Sequence, residues 1–401
     1  MTMVSMDEPS AARTDGAADP HLPRPSNDGH GEGDAPVRRP GKIPRTLLDE
    51  HALTVVRRLK RFGHEAYLVG GCVRDLLAGL EPKDFDVVTD ARPNRIKRLF
   101  RNARIIGRRF RLAHIRFGPD TVIETSTYRA DPARRPTEAQ GPADNAPTDR
   151  RGPPPTAENV FGTAPEDARR RDFTINALFY DPLEEEILDW VGGLEDLETG
   201  IVRSIGDPVR RIHEDPVRMI RAAHFAERMD FRLEDELDRA IRSEAAQLAD
   251  ASPARLYLEL IKVLGRARAR STLHRLHDMG VLEHWLPELS RELDTGATWP
   301  EATGGTHAEA SHGEPEDIPT AHATWNLLGA ADRWGMGAHG ADEALALAPL
   351  LGPWLLRAAI LPNRRPDWHH YAERFEETLR PMALRMSIPR RTAARLRDLL
   401  W

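Results

Sequence analysis

At 401 residues the chain is too long for one ordinary core, and its 40% hydrophobic content is enough to fill two or three. A formal net charge of −6 excludes a molecule coated in positive potential, yet the basic residues are mostly arginines and they cluster, so local basic surfaces remain compatible with the acidic total. The single cysteine, Cys72, excludes an intrachain disulfide and a thiolate-rich zinc site, and with no apolar run near the ~20 residues of a bilayer span and no secretory leader pattern, a soluble protein of the reducing cytoplasm is expected.

Residues 1–43 are rich in Pro, Gly, Asp, Ala and Arg with hardly a large apolar side chain, and read as a disordered tail. From Thr46, a plausible cap, Leu47, Leu48, His51, Ala52, Val55, Val56 and Leu59 recur at helical spacing until Gly63. Strand and helix then alternate: strand 66–69, helix 73–78, strand 84–88, helix 93–100, and strands at 103–106, 112–117 and 121–127. Residues 129–158, ending in Pro153-Pro154-Pro155, read as a long loop over the candidate site. Order returns over Asp167–Tyr180, with a last short strand at Ile187-Leu188-Asp189. Beyond Asp207-Pro208 the pattern is helical, at 215–229, 234–246, 253–265, 268–279 and past 320, broken by polar low-complexity sequence over 294–320. The expected fold class is α+β: an α/β head over 44–205, a helical neck over 206–270 and an all-α body over 271–401.

The chemistry gathers in the head. Tyr67-Leu68-Val69 is a buried strand, and Gly70-Gly71 after it lets the backbone turn and approach a ligand, so the following amides and Arg74 could hold a triphosphate. Asp84 and Asp86 flank Phe85 in the next strand, and alternation puts both carboxylates on one face, where two hard oxygen ligands suit Mg²⁺. An isolated Asp-x-Asp is most often a polar strand end; the glycine turn before it reverses that reading. Glu124, on the strand Thr121-Val122-Ile123-Glu124-Thr125, and Asp167, in the acid and arginine run Glu166–Phe173, compete as a third carboxylate. Arg108, Arg109 and Arg111 bracket Phe110, a set that suits phosphate forks and base stacking as well as a solvated loop. Further on, Asp215, Arg218, Arg221 and His224 recur every three residues, with Pro216 suited to a first helical turn. A carboxylate acceptor beside a guanidinium donor can read a nucleobase edge, whereas a surface ion pair would contribute only ~0–1 kcal/mol.

Taken together these segments resemble the class II template-independent RNA nucleotidyltransferases, which comprise bacterial poly(A) polymerases and CCA-adding tRNA nucleotidyltransferases. The resemblance runs from residue 44 to about 290 and rests on Leu68–Asp75, Asp84-Phe85-Asp86, Arg169–Asn176 and Glu214–Arg221 in that order. Ile105–His114, Asn159–Gly162 and Ile43-Pro44-Arg45 look like the poly(A) polymerase branch. The resemblance implies a polymerase-beta-like head in which Asp84 and Asp86 carry two Mg²⁺ ions, the Gly70-Gly71 turn and Arg74 hold the triphosphate, Asp167 and Arg171 complete the head, and Asp215 and Arg218 face the base, with Arg221 also binding the nucleotide. The implied reaction transfers AMP from ATP to an RNA 3′ end with release of pyrophosphate, with CCA addition to tRNA as the alternative. Two departures stand out. His224 replaces an arginine usual on the family helix, which raises the expectation of pH-sensitive triphosphate affinity. The sequence ends at Trp401 without a long basic tail, leaving RNA binding to the helices and arginine patches. A silent RNA-binding protein is disfavoured by the intact carboxylate pair, and a small-molecule transferase by the Asp215–Arg218 segment.

Overall fold

The computed structural model describes residues 35–107, 111–119, 121–130, 161–266, 268–294, 320–334, 342–359 and 368–401. Short runs with apolar residues at every second position supply most of the head's strands: β1 (Val37–Pro40), β2 (Ala66–Val69), β3 (Asp86–Thr89), β4 (Ala103–Ile106), β5 (Leu112–Arg116), β6 (Val122–Thr127), β7 (Phe179–Asp181) and β8 (Glu186–Asp189). They form one eight-stranded sheet in the order β1-β8-β7-β2-β3-β6-β5-β4. β3 and β6 run parallel and every other neighbouring pair is antiparallel.

Alternation gives the sheet two apolar faces. Leu68, Val87, Ala113, Ile115 and Ile123 point to the side covered by α1 (Glu50–Arg61) and α3 (Pro93–Leu99), where Leu53, Val56, Leu59 and Ile96 are buried against them. Val69, Val88, Phe179 and Leu188 point to the other side, under α4 (Ala164–Arg169). Burying each such aliphatic side chain contributes roughly 1.5–3 kcal/mol, which suffices to anchor short helices of low intrinsic stability. Between the faces, α2 (Gly71–Leu77) links β2 to β3.

Beyond the sheet come α5 (Gly193–Thr199) and a short parallel pair, β9 (Ile201–Val202) with β10 (Arg232–Leu233), then the helices α6 (Pro208–Glu214), α7 (Arg218–Met229), α8 (Asp235–Ser243), α9 (Pro253–Leu264), α10 (Ala269–Asp278), α11 (Leu282–Trp285), α12 (Pro287–Asp294), α13 (Thr320–Trp334), α14 (Glu343–Ala359), α15 (Trp368–Met386) and α16 (Arg390–Leu400). One buried cluster runs from Phe173 and Ile175 of the head through Ile220 and Phe225 of α7 to Trp285, Leu347 and Phe375, so head and helices share a core. The expected α+β class, with a mixed-sheet head and a helical second half, is what the chain adopts. No helix among the described residues is long and apolar enough to cross a membrane.

Three local expectations change. The supposed tail contains β1, whose exposed side chains give no apolar signal and which is held by backbone pairing to β8; residues 1–34 lie outside the described residues, as does most of the expected loops at 129–158 and 294–320. The first helix is capped by Asp49, which accepts from the Ala52 amide at 2.7 Å, while Thr46 belongs to a short 3₁₀ turn. Pro216 precedes α7, which starts at Arg218.

Gly193 makes the tightest approach in the head. A Cβ there would lie 2.2 Å from the carbonyl oxygen of Thr174, in the turn that presents Asn176 to the site. Gly193→Ala is therefore expected to cost at least ~1–3 kcal/mol, from overpacking against backbone, read as a lower urea midpoint.

Candidate active site

Gly70 follows β2 with φ +76°, a left-handed conformation that favours glycine, and Gly71 opens α2, so the backbone turns at the end of a central strand, with Gly70 buried beneath the Arg171 guanidinium. Across β2 and β3, Val69 is paired with Asp86. One step back from the Val87–Thr125 pair on β3 and β6 brings Glu124 beside Asp86 on the same face. Glu124 in turn is opposite His114 on β5, with Nε2 and Oε1 3.1 Å apart. Asp84 lies just before β3 and is exposed, as are Asp86 and Glu124. Although Asp86 reaches solvent, the protein around it raises its carboxyl to about 6, first by stripping water and then by the charge of Glu124, with Asp84 adding and Arg171 opposing. A cation relieves that repulsion, so the donor set suits a hard divalent ion. Among the described residues no three His, Cys, Asp or Glu side chains converge as a ready-made metal cage. A pair of carboxylates completed by substrate phosphates is the usual arrangement for Mg²⁺.

Asp167 is elsewhere. It is fully buried in α4 and accepts from Arg170 Nε and Nη2 at 3.0 and 2.8 Å, from Arg171 Nη2 at 3.0 Å and from the Arg129 amide at 3.1 Å. Burial opposes its ionisation, but Arg171 and Arg170 outweigh it and hold the carboxyl below its ordinary value. The expectation of Asp167 as an open carboxylate is corrected: its oxygens are taken up orienting two arginines. Arg171 thereby reaches the glycine turn, its Nη1 3.0 Å from where a Cβ on Gly70 would be, and stacks on Phe179 at 5.4 Å. Arg211 donates to the carbonyls of Arg170 and Arg171 and fixes the same segment from α6.

Arg74 also turns inward. It is 3% exposed, donates to Asp75 Oδ1 at 2.9 and 2.6 Å and to Asn176 Oδ1 at 2.5 Å, and lies over the Phe225 ring at 4.5 Å. Instead of projecting to a phosphate, it supports the glycine turn from below. Arg228 of α7 donates to both oxygens of Asp75, at 3.2 and 2.8 Å, which ties α7 to the head. Arg221 makes the second tie, to Asp172 at 2.6 Å.

On the base-reading segment, Asp215 and Arg218 are near one another in sequence but bonded elsewhere. Asp215 is held by both terminal nitrogens of Arg255 at 2.7 Å each, and Arg218 donates to the Arg211 carbonyl at 2.6 Å and to Glu214. Arg255, Arg228, Asp172 and Arg170 carry this architecture without having been assigned roles from sequence. The one trace of Arg255 is the charged stripe it makes with Glu259 and Lys262 along α9. His224 is buried, with Nδ1 lacking a hydrogen-bond partner, and burial together with Arg266, Arg228, Arg74 and Arg221 drives its pKa to about 3. It stays neutral between pH 6 and 8, so the expected pH-sensitive triphosphate affinity does not arise from this residue. Arg111 is exposed just before β5; Arg108 and Arg109 lie outside the described residues.

A glycine turn, an exposed carboxylate set on a mixed sheet and a helical extension define a nucleotidyltransferase head joined to an all-α body. Residues 66–203 match the model of the poly A polymerase head domain, and residues 230–293 that of the probable RNA and SrmB-binding site of polymerase A, together half of the chain. The chain belongs to the poly(A) polymerase and CCA-adding tRNA nucleotidyltransferase family. It is 43% identical over 251 residues to poly(A) polymerase I of Salmonella typhi, covering 62% of this chain and 52% of that protein. It is 46% identical over 244 residues to that of Haemophilus influenzae, covering 61% and 52%. A CCA-adding enzyme of Lactobacillus helveticus is 35% identical over 226 residues, covering 55% and 51%. The chain thus spans about half the length of the curated relatives it matches. In fold it resembles the Bacillus stearothermophilus CCA-adding enzyme in complex with CTP, with a TM-score of 0.56 and 24% identity over 87% of this chain and 68% of that one.

Asp172 offers a measurable signature of the head's attachment to α7. Burial would raise its pKa, but Arg221, the Asn176 amide and the Phe173 N–H bring it to about 2. Because the folded value lies below the unfolded one, its stabilisation is complete above pH ~4 and is lost as pH falls towards 2, a change of about 2 kcal/mol. The stability gap between wild type and Asp172→Asn in urea unfolding is expected to narrow by that amount across this window.

Proposed function

We propose that the chain is a template-independent poly(A) polymerase that adds AMP from ATP to RNA 3′ ends and releases pyrophosphate. The observation that carries the reading is the row of Asp86 and Glu124, with Asp84 adjacent, next to the Gly70-Gly71 turn and Arg171. Higher identity to poly(A) polymerases than to CCA-adding enzymes supports this branch over the other.

Asp84 and Asp86 would hold Mg²⁺, with Glu124 as the third carboxylate. Bound there, two such ions would lower the pKa of the RNA 3′-hydroxyl and neutralise phosphate charge. The chain's own groups supply position. Gly70 and Gly71 leave room for the triphosphate, and Arg171, held by Asp167, offers it a guanidinium fork. Asp215 would accept from the adenine amino group and Arg218 donate to the adjacent ring nitrogen. Arg221 and Arg74 would act from behind, by fixing α7 and the turn. Arg108, Arg109 and Arg111 are candidates for RNA contact. The 3′-oxygen attacks the α-phosphorus in line, and the bond to pyrophosphate breaks.

Glu124→Gln is expected to lower kcat by roughly a hundredfold or more, through loss of charge stabilisation, with folding unaffected. Asp167→Asn is expected instead to cost ~3–5 kcal/mol of stability, because it leaves two arginines without their buried partner. The opposite pattern in kcat and urea midpoint would return the third-carboxylate role to Asp167.

The branch is decided by incubating each labelled nucleoside triphosphate, with Mg²⁺, with a generic oligoribonucleotide and with a tRNA lacking its CCA end. Repeated ATP addition to the generic RNA is the expected result; CTP then ATP addition confined to the tRNA would establish a CCA-adding enzyme. In the same assay Arg255→Ala, which frees Asp215, is expected to weaken discrimination of ATP from CTP by about 1–3 kcal/mol, or roughly 5- to 150-fold.

A further inference from the structure

Residues 91–119 contain ten Lys and Arg and no Asp or Glu, in a chain whose net charge is −6. α3 buries Pro93, Ile96 and Leu99, which leaves Arg95, Lys97 and Arg98 exposed; Arg101 and Arg104 follow, also exposed. Arg61, at the end of α1, borders the same surface, because Arg58 of that helix donates to the Leu99 carbonyl at 2.9 Å. Some exposed arginines elsewhere are paired, Arg38 with Glu186, Arg39 with Glu198, Arg210 with Glu214 and Arg242 with Asp238, while others such as Arg45, Arg232 and Arg239 have no carboxylate partner among the described residues but lie apart in sequence rather than in one run. Among the described residues, Arg61, Lys97, Arg98, Arg101 and Arg104 have no carboxylate partner. Five cations crowded on one surface repel one another, and an external polyanion relieves that repulsion.

The surface also connects to the carboxylates. Arg104 on β4 is paired with His114 on β5, His114 with Glu124 on β6, and Glu124 lies beside Asp86 on β3, all on one face. At ~4.8 Å per strand, Arg104 is about 14 Å from Asp86. From Arg104 the cations continue over the edge of the sheet onto α3. Phe62 is 46% exposed beside them, and Arg58 lies between the rings of Phe62 and Phe100 at 5.6 and 5.5 Å. Unpaired guanidinium forks with an exposed aromatic ring fit a phosphate backbone carrying stackable bases.

We propose that Arg104, the outer face of α3 and the end of α1 form a track for the sugar-phosphate backbone of single-stranded RNA upstream of its 3′ end. The proposal rests on the reading of the chain as an enzyme that extends RNA. It separates two tasks: the carboxylate row engages the terminal nucleotide, and the track holds the strand behind it without reading sequence.

The test is a salt titration of RNA binding by the full chain, wild type against Lys97→Gln/Arg98→Gln/Arg101→Gln. Labelled oligoadenylates of ~4 and ~20 nucleotides serve as probes, because each phosphate contact in a single strand contributes about 0.7 to the slope of log K against log salt. For the longer RNA the triple variant is expected to lose about 2 from that slope and roughly ten- to a hundredfold in affinity at low salt. The shorter RNA should lose much less, since it does not reach the track. Arg38→Gln/Arg39→Gln, on the opposite edge of the sheet, is the control for a general change of charge and should retain the wild-type slope. If wild type extends RNA but the triple variant keeps its slope, or loses affinity equally for both lengths, the track is overturned while the proposed function stands. Loss of binding to an acidic peptide or to phosphatidylserine vesicles with RNA binding intact overturns it in the same way. If wild type neither binds nor extends either RNA, the proposed function fails first and the track with it.

Discussion

Two carboxylates at the base of the site, Asp75 and Asp172, hold the head and α7 in one geometry. Asp75 accepts from Arg74 of its own helix and from Arg228 of α7, and Asp172 accepts from Arg221. Burying these charges costs several kcal/mol per ion, so the arrangement adds little net stability over an apolar one of the same shape. What it supplies is orientation, since a buried charge tolerates few positions for its partner. Arg221 and Arg228 stand two turns apart on α7, and the two ties together fix both the tilt and the rotation of that helix. The distance from the glycine turn to the start of α7 is set by them, and with it the span available to a nucleotide.

The same economy of charge separates the inside of the molecule from one part of its surface. Inside, each arginine of the site has a carboxylate or carbonyl partner: Arg74 and Arg228 share Asp75, Arg170 and Arg171 share Asp167, and Arg211 closes over the arginine carbonyls. The exposed carboxylates at the sheet are compensated only in part, Glu124 by His114 and Asp86 by the charge of Arg171, and Asp86 is raised to about 6 by its surroundings. The exposed cations of α3 have no carboxylate partner among the described residues. Clustered charges that a fold leaves unbalanced suit ligands of the opposite sign, cationic in the first case and anionic in the second.

Local periodicity made most elements of the head readable. The alternation in Ala66–Val69 and Val122–Thr127 and the apolar stripe of α1 are properties of a few consecutive residues, and each corresponds to an observed element. β1 was missed because Val-Arg-Arg-Pro has no buried face and is held by backbone bonds to a strand almost 150 residues later. Partner choice was the other blind spot. Sequence offered both Glu124 and Asp167 as the third carboxylate, and the family resemblance favoured Asp167. The register of β3 against β6 separates them, and so does the burial of Asp167 among three donors. His224 invited a titration argument because imidazole ordinarily titrates near neutrality; burial first, and then four arginines, two of them one turn away on α7 and two from other segments, abolish that behaviour.

The pairing of Asp215 with Arg255 bears on how a base could be chosen. An unpaired Asp215, in the link between α6 and α7, would be free to rotate, and a mobile acceptor discriminates poorly because it adapts to either base. Arg255 grips both of its oxygens at 2.7 Å and leaves the carboxylate one orientation, with its remaining lone pairs available to an incoming amine. Arg218 is fixed in turn by the Arg211 carbonyl. Donor and acceptor are thus held by residues other than each other, and neither must break its support to meet a base edge. Preorganisation of this kind lowers the entropy cost of binding and raises the cost of a mismatch, because a base with the wrong edge leaves a rigid polar group unsatisfied. In the proposed reading, in which Asp215 and Arg218 meet the base, choice of nucleotide depends on α9 as much as on that segment.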